Sequence, residues 1–167
     1  MVGKPIIQTR VSKQEDAPHL TRWLMQPGVL KWFPMCDQRE VNDAVKVWMN
    51  YAKKGAAFTT LCKKKPCGMA NLYIQNVKKL AHQCLFSIIV DEKYRGQGIG
   101  TVMLKNLLNT AKEKFHIQLI HLEVYEGNPA MALYQRVGFK QYGCHKGFLR
   151  ESDGVYRDKI LMQMNLS

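Results

Sequence analysis

The chain has 167 residues, 46% of them hydrophobic and 23% charged, with 25 Lys and Arg against 13 Asp and Glu for a net charge of +12. That length and mix exclude a disordered chain and predict one domain, residues 1–167, burying roughly two thirds of its unfolded surface around a single core. The positive balance favours phosphate-bearing ligands and anionic surfaces, and no apolar run approaches the roughly 20 residues a bilayer span needs.

In chain order, Ile6 to Val11 reads as a strand and Gln14 to Leu24 as a short helix with Leu20, Trp23 and Leu24 on one face. Pro27 and Gly28 break it. A second helix, from about Glu40 to Lys53, carries Val41, Ala44, Val45 and Trp48 at helical spacing and stops at Lys54 and Gly55. Strands follow at Ala57 to Cys62 and Cys67 to Ile74, around a basic loop from Lys63 to Pro66. Leu85 to Val90 is a continuous apolar run, as expected of a strand buried on both faces. A polar, glycine-rich turn separates it from a helix whose face is Val102, Met103, Leu104, Leu107, Leu108, Ala111 and Phe115. Leu119 to Val124 is another strand and Pro129 to Val137 another helix. Phe139 to Gly143 and Val155 to Asn165 close the chain as strands. The order β-α-α-β-β-β-α-β-α-β-β describes a mixed α/β sheet domain.

Cys36, Cys62, Cys67, Cys84 and Cys144 form an odd set without a C-x-x-C pair. They read as reduced thiols, with neither a disulfide framework nor a metal site expected. The stretch MVGKPIIQTR has no apolar run of secretory type, so a cytoplasmic protein without membrane insertion is expected.

The turn Arg95, Gly96, Gln97, Gly98, Ile99, Gly100 lies between a buried strand and a strong helix. The first turn of a helix leaves its N–H groups without partners and adds about half a positive charge, which together make an anion site. Glycines bring the main chain close to phosphate oxygens, and Arg95 adds a side-chain charge, so a pyrophosphate is the natural guest. A Walker loop is excluded, because Gly100 is followed by Thr101 and Val102 rather than Lys and Ser or Thr. A Rossmann fingerprint fits poorly, since the pattern is G-x-G-x-G and no acidic residue stands at the required distance.

Further on, Asn128 and Pro129 spell a helix start, and Gly138 followed by Phe139 spells its end. Ala130 and Met131 stand four and three residues before Tyr134, so Tyr134 sits on a partly buried helix face.

Arg95-x-x-Gly98-x-Gly100 after VDEKY, followed by LEVYEGNPAMALYQRVGF, resembles the two successive motifs of the GCN5-related N-acetyltransferases. The resemblance covers Leu85 to Phe139. It implies a mostly antiparallel central sheet with helices on both faces, acetyl-CoA as co-substrate, and direct transfer to an amine acceptor in a ternary complex. It implies that Arg95, Gly96, Gln97, Gly98, Ile99, Gly100 and Thr101 hold the coenzyme diphosphate. By the same resemblance the Ile88, Ile89 and Val90 backbone bonds the pantetheine arm, with an N–H near Val90 polarising the acetyl carbonyl. Asn128 contacts the coenzyme in this reading, although the spacing to Tyr134 is one residue shorter than N-x-x-A-x-x-L-Y. Tyr134 is then the general acid for the departing thiolate.

A glutamate that many polyamine-acetylating relatives carry before the turn is replaced here by Cys84, Leu85, Phe86 and Ser87. The chain also resembles ribosomal-protein N-terminal alanine acetyltransferases in its L-E-V stretch, which makes Glu123 the base. A structural salt bridge is the other reading of Glu123. His121, on the same strand face, is the alternate base. The W-L…P…W-F pattern of Trp23, Trp32 and Phe33 is similar to the start of aminoglycoside and other small-amine acetyltransferases, and these aromatics either line an acceptor cleft or pack in the core. A peptide N-terminus or a small amine is the expected acceptor, with nucleic acid disfavoured and a monomer or homodimer expected. The other classes are a basic RNA- or ribosome-binding module and an acyl-CoA-binding sensor of the same fold.

Overall fold

The computed structural model describes residues 5–167. Seven strands, β1 (Ile7–Val11), β2 (Ala57–Cys62), β3 (Lys65–Tyr73), β4 (Gln83–Val90), β5 (Leu119–Tyr125), β6 (Lys140–Arg150) and β7 (Tyr156–Asn165), form one sheet in the order β1-β2-β3-β4-β5-β7-β6. Every neighbouring pair is antiparallel except β4 and β5. The helices are α1 (Ala17–Leu24), α2 (Pro27–Leu30), α3 (Gln38–Lys53), α4 (Ile99–Phe115) and α5 (Ala130–Val137).

Helix α2 stands where a break was expected. Pro27 suits a first helical position, and the N–H groups of Val29 and Leu30 both return to the Gln26 carbonyl at 2.8 Å, closing one turn. The hairpin between β2 and β3 is also tighter than the sequence suggested. Only Lys63 and Lys64 form it, both with positive φ (49° and 67°), the pair of left-handed residues a two-residue turn requires. At the chain's end β6 runs well beyond Gly143 because β7 supplies a partner as far as Arg150.

Two apolar clusters cover the two faces. Leu20, Trp23, Leu24, Val41, Val45, Trp48 and Met49 of α1 and α3 pack on Met69 and Ile89. On the opposite face Met103, Leu104, Leu107 and Ala111 of α4, with Tyr134 of α5, pack on Phe86, Ile120, Leu122 and Val124. Because strand side chains alternate, the residues between these belong to the other face: Leu85, Ser87, Asn71 and Tyr73 lie with Met69 and Ile89, and Glu123 and Tyr125 share that side.

The parallel pair is short. Gln83, Cys84 and Leu85 of β4 pair with Leu119, Ile120 and His121 of β5, and there the pairing ends. Among the described residues β4 has no neighbour on its β5 side from Phe86 onward, and the two strands diverge. This corrects the expectation of a strand buried on both faces: Leu85, Ser87, Ile88 and Val90 are only half-buried because they border the opening gap.

Candidate active site

The gap opens into a cleft of about 740 Å³ that passes from one sheet face to the other. At one end stands the glycine-rich turn. Gly96 and Gly98 have φ of 71° and 78°, a conformation that costs side-chain-bearing residues about 1–2 kcal/mol, and nothing lies within 4 Å of where their Cβ atoms would be. The first helical bond of α4 runs from Val102 N–H to the Gly98 carbonyl. Among the described residues, the N–H groups of Gly96, Gln97, Gly98, Ile99, Gly100 and Thr101 therefore reach no backbone acceptor. Consecutive free N–H groups at a helix start form an anion cradle, and its chemistry fits a diphosphate.

Arg95, Gly96, Gly98, Ile99, Gly100 and Thr101 line the cleft. The Gln97 side chain does not, and instead donates to the Lys93 carbonyl at 3.1 Å, leaving its main-chain N–H as its contribution. Arg95 folds back over β4, Nε donating to the Val90 carbonyl at 3.4 Å. The turn is anchored by Asp91, whose carboxylate accepts from Gln26 and from Lys93 N–H at 3.2 Å each. Burial alone would raise the Asp91 pKa, but these bonds and the neighbouring Arg22 outweigh it and hold the group below the usual carboxylate range.

Along the gap, Ile88, Ile89 and Val90 line the cleft with backbone groups that no strand occupies on the β5 side. An unpaired edge of this kind accepts an extended chain as a further strand would. Tyr134 lies beneath it, only 8% exposed, held edge-on by Phe86 and Phe139 with centroids at 6.0 and 6.1 Å. Burial raises its pKa far above that of a free phenol, so it is a neutral donor at any physiological pH. No side-chain hydrogen bond engages its hydroxyl among the described residues. Asn128 lines the same end, where its Oδ1 caps α5 by accepting from Ala130 N–H at 2.9 Å and leaves Nδ2 free. Gly138, at φ 122°, ends that helix as its sequence position implied.

On the opposite face Glu123 lines the cleft with its side chain 42% exposed, and its Oε2 meets Lys159 Nζ at 3.0 Å. Lys159 itself is buried and sits 3.6 Å from the centre of the Phe148 ring. The salt-bridge reading of Glu123 is thus met at Oε2, and Oε1 has no ion-pair partner among the described residues. His121 does not line the cleft. Its Nε2 lies 2.6 Å from Gln83 Oε1, and burial, opposed by the Glu123 charge, lowers its pKa.

Beyond Glu123 the cleft continues between the sheet and α2–α3, lined by Val29, Trp32, Phe33, Met35, Val47 and Trp48. Trp32 and Phe33 thus belong to the cleft and Trp23 to the core, where it is fully buried. Arg157 stacks over Trp32 at 5.7 Å and is itself paired with Glu151 at 2.8 Å, tying the β7 end to this wall. Sequence reasoning missed Lys159, Tyr73, Ser87 and Tyr125. The sequence placed Tyr73, Ser87 and Lys159 on strands and left Tyr125 just beyond one, but their common face follows from the order β3-β4-β5-β7, which no local pattern encodes.

The sequence matches the acetyltransferase (GNAT) family model over residues 19–139. It is 37% identical over 71 residues to an N-alpha-acetyltransferase of Saccharolobus solfataricus, covering 42% of each chain. A [ribosomal protein bS18]-alanine N-acetyltransferase of Haemophilus influenzae is 33% identical over 78 residues, 47% of this chain and 53% of that one. The chain thus spans about half the length of the curated relatives it matches. A Salmonella typhimurium protein solved with its cofactor acetyl-CoA has the same fold, with a TM-score of 0.79, 15% identity, and coverage of 96% of this chain and 94% of that one. With a family match that spans the glycine-rich turn and the split of the sheet, this chain belongs to the GNAT acetyltransferase family.

Proposed function

We propose that this chain transfers the acetyl group of acetyl-CoA to the primary amine of a protein N-terminus or a small molecule, by direct attack in a ternary complex. One observation carries the reading. The gap between β4 and β5 joins the anion cradle and Tyr134 on one face to Glu123 on the other, so two substrates entering from opposite sides meet at one point.

Bound acetyl-CoA supplies an activated thioester carbonyl. The free N–H groups from Gly96 to Thr101, with Arg95, hold its diphosphate, and Asn128, just before α5, contacts the coenzyme through Nδ2. The open β4 edge at Ile88, Ile89 and Val90 aligns the pantetheine arm. An N–H near Val90 is a fixed dipole available to a developing oxyanion, commonly the largest single catalytic contribution. Glu123 accepts a proton from the incoming ammonium at Oε1, and Tyr134 donates one to the departing sulfur from a dry setting where it is not lost to water. Buried Cys84, with its thiol pushed up to about 12 by burial, has little thiolate to offer a covalent route.

The names of the N-alpha- and ribosomal-protein relatives support a peptide acceptor. The test is release of coenzyme thiol with acetyl-CoA across peptide N-termini, amino acids, polyamines and aminoglycosides. Turnover with peptides or small amines is the expected outcome. Failure to bind acetyl-CoA by calorimetry, with tight salt-sensitive RNA binding instead, would replace this reading with the RNA-binding one.

A further inference from the structure

Most side chains lining the acceptor half of the cleft are apolar; Glu123 and Tyr125 are polar, and one further polar pair lies on the neighbouring strands. Tyr73, at the end of β3, and Ser87, on β4, both line the cleft, with Tyr73 Oη and Ser87 Oγ 3.2 Å apart. Behind them is Asn71, paired across the strands with Ser87 and fully buried, with neither Nδ2 nor Oδ1 hydrogen-bonded. Asn71 and Trp48 are neighbours of the Tyr73 hydroxyl, and among the described residues only Ser87 closes a bond to it. Buried polar groups are normally satisfied, and an orphaned amide beside two cleft-lining hydroxyls points to a missing partner.

Position relates this cluster to the reacting amine. The last parallel pair is Leu85 with His121, so two residues on, Ser87 and Glu123 stand opposite each other across the opening gap and on the same face. An amine at Glu123 would present its neighbouring group to Ser87 and Tyr73. Among the described residues Glu123 is the only charged side chain lining this part of the cleft, which suits an uncharged group. Two hydroxyls, each able to donate and accept, match a carbonyl beside an N–H.

We propose that Tyr73 and Ser87, beside the buried Asn71 amide, form a subsite that recognises a neutral amide attached next to the acceptor amine, and so select a peptide-type amine over a simple alkyl amine. This rests on the transferase reading and names the acceptor class for it. A site built to hydrogen-bond an acceptor rejects an analogue without the group, because its own polar atoms are then left unpaired.

The probes are alaninamide and 3-methylbutan-2-amine, equal in shape but differing in the amide, each assayed with acetyl-CoA at one fixed pH. The wild-type protein should favour alaninamide in kcat/KM by roughly tenfold or more. Tyr73→Phe and Ser87→Ala, on separate strands, should each shrink that preference toward unity through the KM for alaninamide. The alkyl amine's kcat/KM and the coenzyme affinity should stay put. Comparing variant with wild type cancels the different basicity of the two amines. A preference unchanged in both variants, or turnover by the wild type without preference, overturns the proposal. If no amine is turned over, the transferase reading fails. The subsite is then judged by NMR titration of CoA-loaded protein with alaninamide: shifts at Ser87 and Tyr73 that vanish in Tyr73→Phe support it, and none in the wild type refutes it.

Discussion

Replacing Gly98 with alanine separates the backbone's work in the cradle from simple space-filling. A Cβ at Gly98 meets nothing within 4 Å, so no clash arises and the cost lies in φ, which stands at 78°. Holding an alanine there costs about 1–2 kcal/mol. For a chain of this size that lowers Tm by roughly 2–8 °C if the turn keeps its shape, and less if it relaxes. Relaxation turns the N–H of Gly98 or Ile99 away from the anion, and one charge-assisted bond lost is worth about 1.5–3 kcal/mol. The dissociation constant for acetyl-CoA, measured calorimetrically, should therefore rise roughly ten- to hundredfold. S-acetylpantetheine, which has no diphosphate, serves as the control donor: its kcat/KM should be nearly the same in Gly98→Ala and wild type. Equal losses with both donors, or no loss with either in a variant whose Tm is also unchanged, would show that the turn does not hold the diphosphate.

Other perturbations bear on the remaining parts. Tyr134→Phe keeps the ring between Phe86 and Phe139, so Tm and coenzyme affinity should hold while acetyl transfer falls by roughly two to three orders of magnitude in a thiol-release assay. Glu123→Gln should lower kcat about a hundredfold and also lower Tm, since it leaves buried Lys159 without its anion. A Glu123→Gln protein as active as wild type would remove the base. Asp16 provides a pH test. Its carboxylate binds Arg10 through both oxygens (2.7 and 2.9 Å) and accepts from Lys13 N–H and Thr59. Burial opposes its ionisation, but these partners prevail and its pKa is lowered. The associated stability is thus complete above the unfolded value near 3.9 and lost as pH falls through the folded one. Against wild type, Asp16→Asn should be destabilised at pH 7, and that gap in Tm should narrow on acidification; a gap independent of pH would contradict the assignment.

Much of the architecture was legible because it is local. Periodic apolar residues announced α1, α3 and α4, and the glycines after β4 declared a helix start with free N–H groups, which is what the backbone shows. The motifs from Arg95 to Gly100 and from Leu122 to Phe139 also placed the chain in its family. The one-turn helix at Pro27 was hidden, since a proline and a glycine serve equally as break and as start.

The chain's own letters, then, named the candidates for binding an anion and for holding or giving a proton. Tertiary structure alone decided who meets whom. Nothing in the Leu85–Val90 run reveals that β5 parts from β4 after Leu85, because pairing depends on where a strand distant in sequence lies. That parting converts a core strand into the wall of a cleft, and it sets Glu123 and Tyr134 on opposite faces with a passage between them. Likewise Lys159, 36 positions after Glu123 in the chain, reaches it only because β7 inserts between β5 and β6. Hydrophobic periodicity reports the environment of a residue along its own element, whereas a site is assembled across elements.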